Sequence, residues 1–335
     1  MTRVAAGALA LLVVSACSTR ARLDMVELSD SALAVVYWTE SEALEREDAL
    51  HDQAKRNLPQ REGIVRLETL DAIYGGSPDA ARRVLGLDGR LVLLDPRTSA
   101  ISPVPNAPTQ ARPLDWSPDR RQLLIQGNSR GRRQLFVWNR ESGEVEIVTP
   151  GVVEHPMGCL GPDGLLVAAR LVQSDTRVTV NLLRRTVSGT FMPLTDGPWD
   201  VQPACSPTGR HVAFATLGPD GAMHVATIDL TSDAAPRLVA RGQEPTFSAD
   251  GEWVVFAGPS SHGNRLWRVR VEGGGKTPLG VAQTEDERDP AVSPDGAYIA
   301  FVVEEDTRQR LWVRRWDGSG RRPLLLQGDG AAPVW

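Results

Sequence analysis

Apolar and polar positions alternate along this chain in short bursts, and from residue 113 onward the bursts recur in a fixed order. A proline opens each round: Pro113, Pro156, Pro203, Pro245, Pro290. A tight polar turn follows, then an alternating apolar run at 122–126, 165–169, 211–215, 253–257 and 298–302. A polar loop leads to another run at 134–138, 178–182, 224–228, 266–269 and 311–313. A second turn, such as Ser142-Gly143 or Asp317-Gly318, precedes a last short run ending near Val148, Leu194, Leu238, Leu279 or Leu324. Period-two alternation bounded by Gly, Pro, Asn, Asp and Ser is the signature of half-buried strands. Each round therefore predicts four short antiparallel strands.

The first turn of each round is nearly constant. It reads Ser117-Pro118-Asp119, Gly161-Pro162-Asp163-Gly164, Ser206-Pro207-Thr208-Gly209, Ser248-Ala249-Asp250-Gly251 and Ser293-Pro294-Asp295-Gly296, with a degenerate early copy at Ser77-Pro78-Asp79-Ala80. Successive copies begin 40 to 45 residues apart. The proline presets φ, the aspartate caps backbone N–H groups and the glycine accepts a positive φ. Four strands in a repeat of this length make one blade of a β-propeller.

The chain ends predict the blade count. Ala332-Pro333-Val334-Trp335 repeats the first-strand pattern of residues 112–116, and the next turn would begin at 336. The earliest copy has candidate strands at 83–87, 90–94 and 101–104 but no first strand of its own. The C-terminal strand is expected to fill that place, closing an all-β, six-bladed propeller within residues 63–335. Trp138, Trp267 and Trp312 fall in third strands and Trp116 and Trp335 in first strands, where they read as packing between blades.

This organisation resembles the WD40-like repeats of the TolB carboxy-terminal propeller. The resemblance rests on Pro113-Leu114-Asp115-Trp116-Ser117-Pro118-Asp119, Leu135-Phe136-Val137, Leu311-Trp312-Val313, Asp317-Gly318 and Leu194-Thr195. It covers about three quarters of the chain and implies a propeller that holds a protein or peptide partner in the cell envelope. TolB carries a sizeable α/β domain before its propeller, for which residues 18–62 are too few, so the resemblance implies a TolB-like protein and not TolB.

The amino-terminal end reads as an address. Met1-Thr2-Arg3 is a short positive start, and the apolar run 4–14 is too short to span a bilayer but suits a signal-peptide core. Val14-Ser15-Ala16-Cys17 resembles the lipobox of bacterial lipoproteins, which implies a signal peptide over 1–16 and a lipid on Cys17. Several acyl chains anchor stably where one does not. Ser18, in place of aspartate, implies sorting to the outer membrane, with the protein facing the periplasm. Residues 17–62 then form a tether and helical segment: the apolar stretch 33–38 reads as a strand, and Thr39-Glu40-Ser41-Glu42 is a capping box for a helix ending before Pro59.

Composition narrows the partners. The net charge of −5 lacks the basic footprint that nucleic acid requires. Glycine and proline sum to 55 residues, which favours short strands and turns over long helices. Cys159 and Cys205 read as small buried apolar residues, with a disulfide the alternative in an oxidising compartment.

Chemistry is sparse. Gly127-Asn128-Ser129-Arg130-Gly131 matches a nucleophile-elbow pattern but lies between two strands, where the elbow needs a strand and a helix. Gly273-Gly274-Gly275-Lys276-Thr277 lacks the first glycine of a phosphate-binding loop, since Arg270 stands there. The expectation is a non-catalytic binding propeller with no metal and no cofactor beyond the lipid on Cys17. In such a ring the between-blade loops and the hairpins joining second and third strands share one face. The residue before each first-strand proline should line the channel mouth: Arg112, His155, Gln202, Glu244, Asp289 and Ala332. The five polar ones, Arg112, His155, Gln202, Glu244 and Asp289, are the candidate binding residues, with Trp199 as a possible exposed contact. The alternative is a carbohydrate- or cation-binding propeller, lyase-like, with its site at the same mouth.

Overall fold

A computed structural model describes residues 32–39, 42, 89–149, 157–173, 178–261, 263–281, 285–305, 308–325 and 328–335. They form six four-stranded antiparallel sheets. Blade 1 contains β1 (Leu33–Trp38), β2 (Arg90–Leu94) and β3 (Ile101–Pro103). Blade 2 is β4 (Thr109–Trp116), β5 (Gln122–Ser129), β6 (Arg132–Asn139) and β7 (Val145–Ile147). Blade 3 is β8 (Gly158–Leu160), β9 (Leu166–Gln173), β10 (Val178–Arg185) and β11 (Phe191–Pro193). Blade 4 is β12 (Val201–Cys205), β13 (His211–Leu217), β14 (Met223–Asp229) and β15 (Arg237–Arg241). Blade 5 is β16 (Gln243–Phe247), β17 (Trp253–Ser260), β18 (Gly263–Arg270) and β19 (Thr277–Pro278). Blade 6 is β20 (Asp286–Val292), β21 (Tyr298–Glu305), β22 (Arg308–Arg315) and β23 (Arg322–Pro323). The last strand, β24 (Asp329–Val334), pairs with β1, so blade 1 reads β24-β1-β2-β3.

The ring is thus closed by the C-terminal strand, as expected. Its partner is a surprise. Leu33–Trp38, read from sequence as part of the amino-terminal segment, is the second strand of blade 1, with Ala34 opposite Val334 and Trp38 opposite Asp329. The run 83–87 assigned to that slot lies outside the described residues, as does the Ser77 turn. Thr39 and Glu42 do form the capping box: Thr39 N–H donates to Glu42 Oε2 at 2.7 Å, and Glu42 N–H to Thr39 Oγ1 at 3.4 Å. Arg90 ties this corner to the start of β2, 3.2 Å from Glu42 Oε2.

The repeat turns work as their residues dictate. In blades 5 and 6 the serine Oγ accepts the N–H five residues on, Trp253 and Tyr298, at 2.9 Å each. Asp250 and Asp295 cap the N–H groups of Glu252 and Ala297. Gly209, Gly251 and Gly296 sit at φ of 71° to 73°. The Leu-Thr endings have a reason too. Leu194 N–H continues the ladder to Leu182 O, while Thr195 Oγ1 accepts the N–H of that same leucine at 3.0 Å. Thr149 does the same for Leu135 at 2.8 Å.

Each seam between neighbouring blades is filled by a buried apolar cluster, such as Leu124, Leu135, Leu160 and Leu166 between blades 2 and 3. Between blades 1 and 2, Trp116 and Trp138 meet edge to face with centroids 6.3 Å apart. Fixing six sheets around an axis in this way leaves the innermost strands β4, β8, β12, β16, β20 and β24 lining a central channel.

Candidate functional site: the channel mouth

A proline directly after the mouth residue removes a ladder donor, and the strand bulges there. Register shifts occur between Val201 and Ala204, Gln243 and Thr246, and Arg288 and Ala291. Gln202, Glu244, Asp289 and Ala332 adopt φ of 53°, 56°, 46° and 48°. Non-glycine residues in this left-handed region are strained, and such residues gather at functional sites.

Here the strained backbone N–H groups serve a belt that runs round the ring. Gln202 N–H donates to Met157 Sδ at 3.1 Å. Glu244 N–H donates to Gln202 Oε1 at 3.0 Å, and Asp289 N–H to Glu244 Oε2 at 2.9 Å. Arg112 Nη2 then stands 3.7 Å from Asp289 Oδ1, reaching past Ala332, whose small side chain leaves the gap. Four of the predicted mouth residues, Arg112, Gln202, Glu244 and Asp289, are therefore brought together. His155 lies outside the described residues.

Blade 3 places Met157 at the level of Gln202. Counting four residues back from the first residue of the turn finds this level in blades 3 to 6: Met157, Gln202, Glu244, Asp289. Taking the residue before the proline misses it in blade 3, whose first strand carries two extra residues before Gly161. Arg288 is a further residue that sequence reading did not find. It is buried, holds Asp286 Oδ2 at 2.6 Å, and lies 3.7 Å from Glu304 Oε2 and 3.9 Å from Glu244 Oε1. It thereby fixes the carboxylate that the belt uses.

Below the mouth, β4 has one residue more than β12 between proline and turn serine, and the extra residue brings Asp115 into the channel wall. Its Oδ2 accepts the N–H of Leu160 at 3.0 Å, joining the inner strands of blades 2 and 3. Burial pushes its carboxyl up to about 7, against the lowering effect of that hydrogen bond and of the Arg120 charge.

Cys159 and Cys205 form a disulfide, with Cα atoms 5.5 Å apart, between the inner strands of blades 3 and 4. The reading of them as free buried residues is corrected: the ring sets the two first strands side by side, which spacing along the chain does not reveal. Trp199 is placed differently from expectation as well. It is half-buried, packed on the apolar cluster between blades 3 and 4, and bridges to Val180.

The channel encloses about 360 Å³. Its upper rim carries Arg112, Gln202, Glu244 and Asp289, and its lower end is lined by Pro118, Pro207, Pro294 and Trp335. Among the described residues, no three His, Cys, Asp or Glu side chains come together as metal ligands. The rim offers carboxylate and amide oxygens and one guanidinium above a wall of prolines and small side chains, an arrangement suited to holding an extended segment by hydrogen bonds and charge.

No family model matches the chain. An uncharacterised protein of Agrobacterium fabrum is 25% identical over 180 residues, which are 53% of this chain and 60% of that one. The chain thus spans about three fifths of the curated relative it matches. TolB from Acinetobacter baumannii superposes with a TM-score of 0.62 at 15% identity, covering 99% of this chain and 74% of that one. A putative TolB from Agrobacterium tumefaciens superposes with a TM-score of 0.58 at 23% identity, covering 70% and 88%. The fold of this chain is the TolB-like six-bladed β-propeller.

Proposed function

We propose that this chain is a lipid-anchored protein of the cell envelope whose propeller holds a protein or peptide segment at its channel mouth and catalyses no reaction. The belt at the mouth supports this reading most. Strain, hydrogen bonds and a buried arginine preorganise its acceptors, and preorganisation lowers the cost of binding. The volume of about 360 Å³ lies in the range of small binding clefts and admits a few residues of an extended chain. Two carboxylates on adjacent blades, Glu244 and Asp289, stand beside the guanidinium groups of Arg288 and Arg112, so the mouth offers both signs of charge to a polar segment. The disulfide fits an oxidising compartment such as the periplasm. Cys17 supplies the anchor, at the outer membrane.

The test is affinity purification of the tagged full-length protein from crosslinked envelopes. A partner should be recovered with the wild type and lost with the Glu244→Gln, Asp289→Asn double variant. Recovery of nothing above background removes the binding reading. Stoichiometric Mn²⁺, Ca²⁺ or Zn²⁺ that disappears in Asp289→Ala would replace it with a cation-dependent site. Labelling with palmitate, against a Cys17→Ala control, tests the anchor.

A further inference from the structure

The chain enters the ring at the face opposite the mouth. β1 begins beside the end of β24, with Ala34 opposite Val334, and runs toward the mouth, where Trp38 is opposite Asp329. The entry is pinned. Arg120 Nη2 donates to Ala32 O at 2.6 Å. Arg120 occupies the place that Gly209, Gly251 and Gly296 take in other blades, yet holds φ at 62°. A side chain in that region costs about 1–2 kcal/mol, and a glycine there would make the turn without it. The arginine instead reaches Ala32, lies 4.5 Å over the Trp116 ring and lines the lower end of the channel. The pinned carbonyl therefore sits on the turn face, close to the ring axis.

We propose that the anchored protein holds its turn face toward the lipid surface and its channel mouth away from it. This rests on the reading of Cys17 as the lipid attachment point. Residues 18–31 separate Cys17 from Ala32. A chain of that length spans at most about 50 Å. To bring the mouth to the membrane, it would have to pass outward beyond two strands, about 10 Å, and then climb a blade of up to eight residues, about 25 Å. That path of about 35 Å uses most of the full reach. The upright arrangement needs no such detour. The mouth then opens about 25 Å or more above the lipid, and it takes a partner segment from the aqueous side, not one lying flush with the anchoring leaflet.

The test uses the natively lipidated full chain in phosphatidylethanolamine–phosphatidylglycerol vesicles carrying an acceptor-labelled lipid. One donor fluorophore is placed at Ala297→Cys, exposed on the turn face of blade 6. The other is placed at Ser261→Cys, exposed on the mouth-side hairpin of blade 5. Energy transfer should be at least twofold stronger from Ala297→Cys. Equal transfer, or stronger transfer from Ser261→Cys, overturns the orientation. Flotation with the vesicles, compared with Cys17→Ala, reads the anchor separately. Flotation lost in Cys17→Ala but with the wrong transfer order sinks only the orientation. A wild type that does not float, or that floats as well without Cys17, sinks the anchor and the orientation with it.

Discussion

Glu244 Oε2 accepts the backbone N–H of Asp289 at 2.9 Å, so the side chain of one mouth residue holds the strained backbone of the next. A buried donor left without its acceptor costs about 1–3 kcal/mol. Glu244→Ala should lower Tm by several degrees, since about 1 kcal/mol corresponds to about 2–4 °C in a domain of this size. Glu244→Gln keeps an acceptor and the volume while removing the charge. Calorimetry should find its Tm near the wild type, while recovery of a crosslinked partner falls as far as in the alanine variant.

Asp115 gives a pH dependence with a definite sign. Its carboxyl is raised from 3.8 to about 7 by burial. The neutral form is favoured in the folded ring, so its contribution is complete below about 4, is lost as pH rises, and is gone above about 7. Asp115→Asn stays neutral at every pH and keeps an oxygen for Leu160 N–H. The variant should gain stability over the wild type as pH climbs from 4 to 7, by an amount on the order of a few kcal/mol, with a plateau above. Denaturant melts of both proteins at pH 4, 6 and 8 check this; a constant difference contradicts it.

The disulfide between Cys159 and Cys205 closes a loop with a sequence separation of 46. Links of this kind contribute about 2–4 kcal/mol. Reduction should lower Tm by several degrees, and Cys205→Ser should reproduce the loss with no further effect of reductant. Peptide mapping without reductant should recover the two cysteines as one linked pair.

Arg120→Gly relaxes a left-handed arginine and releases Ala32 at once. The two effects oppose each other, so global stability should change by less than about 1 kcal/mol. Hydrogen exchange should nevertheless speed up at the start of β1, because its entry is no longer held. Unchanged exchange there means that Arg120 is not the pin.

Much of the ring is legible in the residues, because its code is local. A Ser-Pro-Asp-Gly turn carries its own hydrogen bonds within a few residues, and the spacing of its copies reports the blades. The belt is legible only in part. Glu244 and Asp289 stand before prolines and can be found, but the positive φ that aims their N–H groups round the ring is a property of the assembled bulge. Met157 escapes because its strand carries extra residues. The disulfide joins two blades with no local pattern linking its cysteines. The place of Leu33–Trp38 is hidden for another reason: blade 1 alone has no turn joining its first two strands, β24 and β1, so no flanking motif marks the second.

Pairing β1 with β24 has a consequence for the order of events. The partners Ala34 and Val334 are separated by nearly the whole chain, and such distant contacts form late and slowly. A nascent chain can build blades 2 to 6 one after another, each against its neighbour. It cannot seal the circle until the segment through Val334 has emerged. Until then blade 1 lacks its innermost strand and the channel has an open side. Completion of the mouth therefore waits for β24, and a product truncated before that strand would have no closed ring to offer a partner.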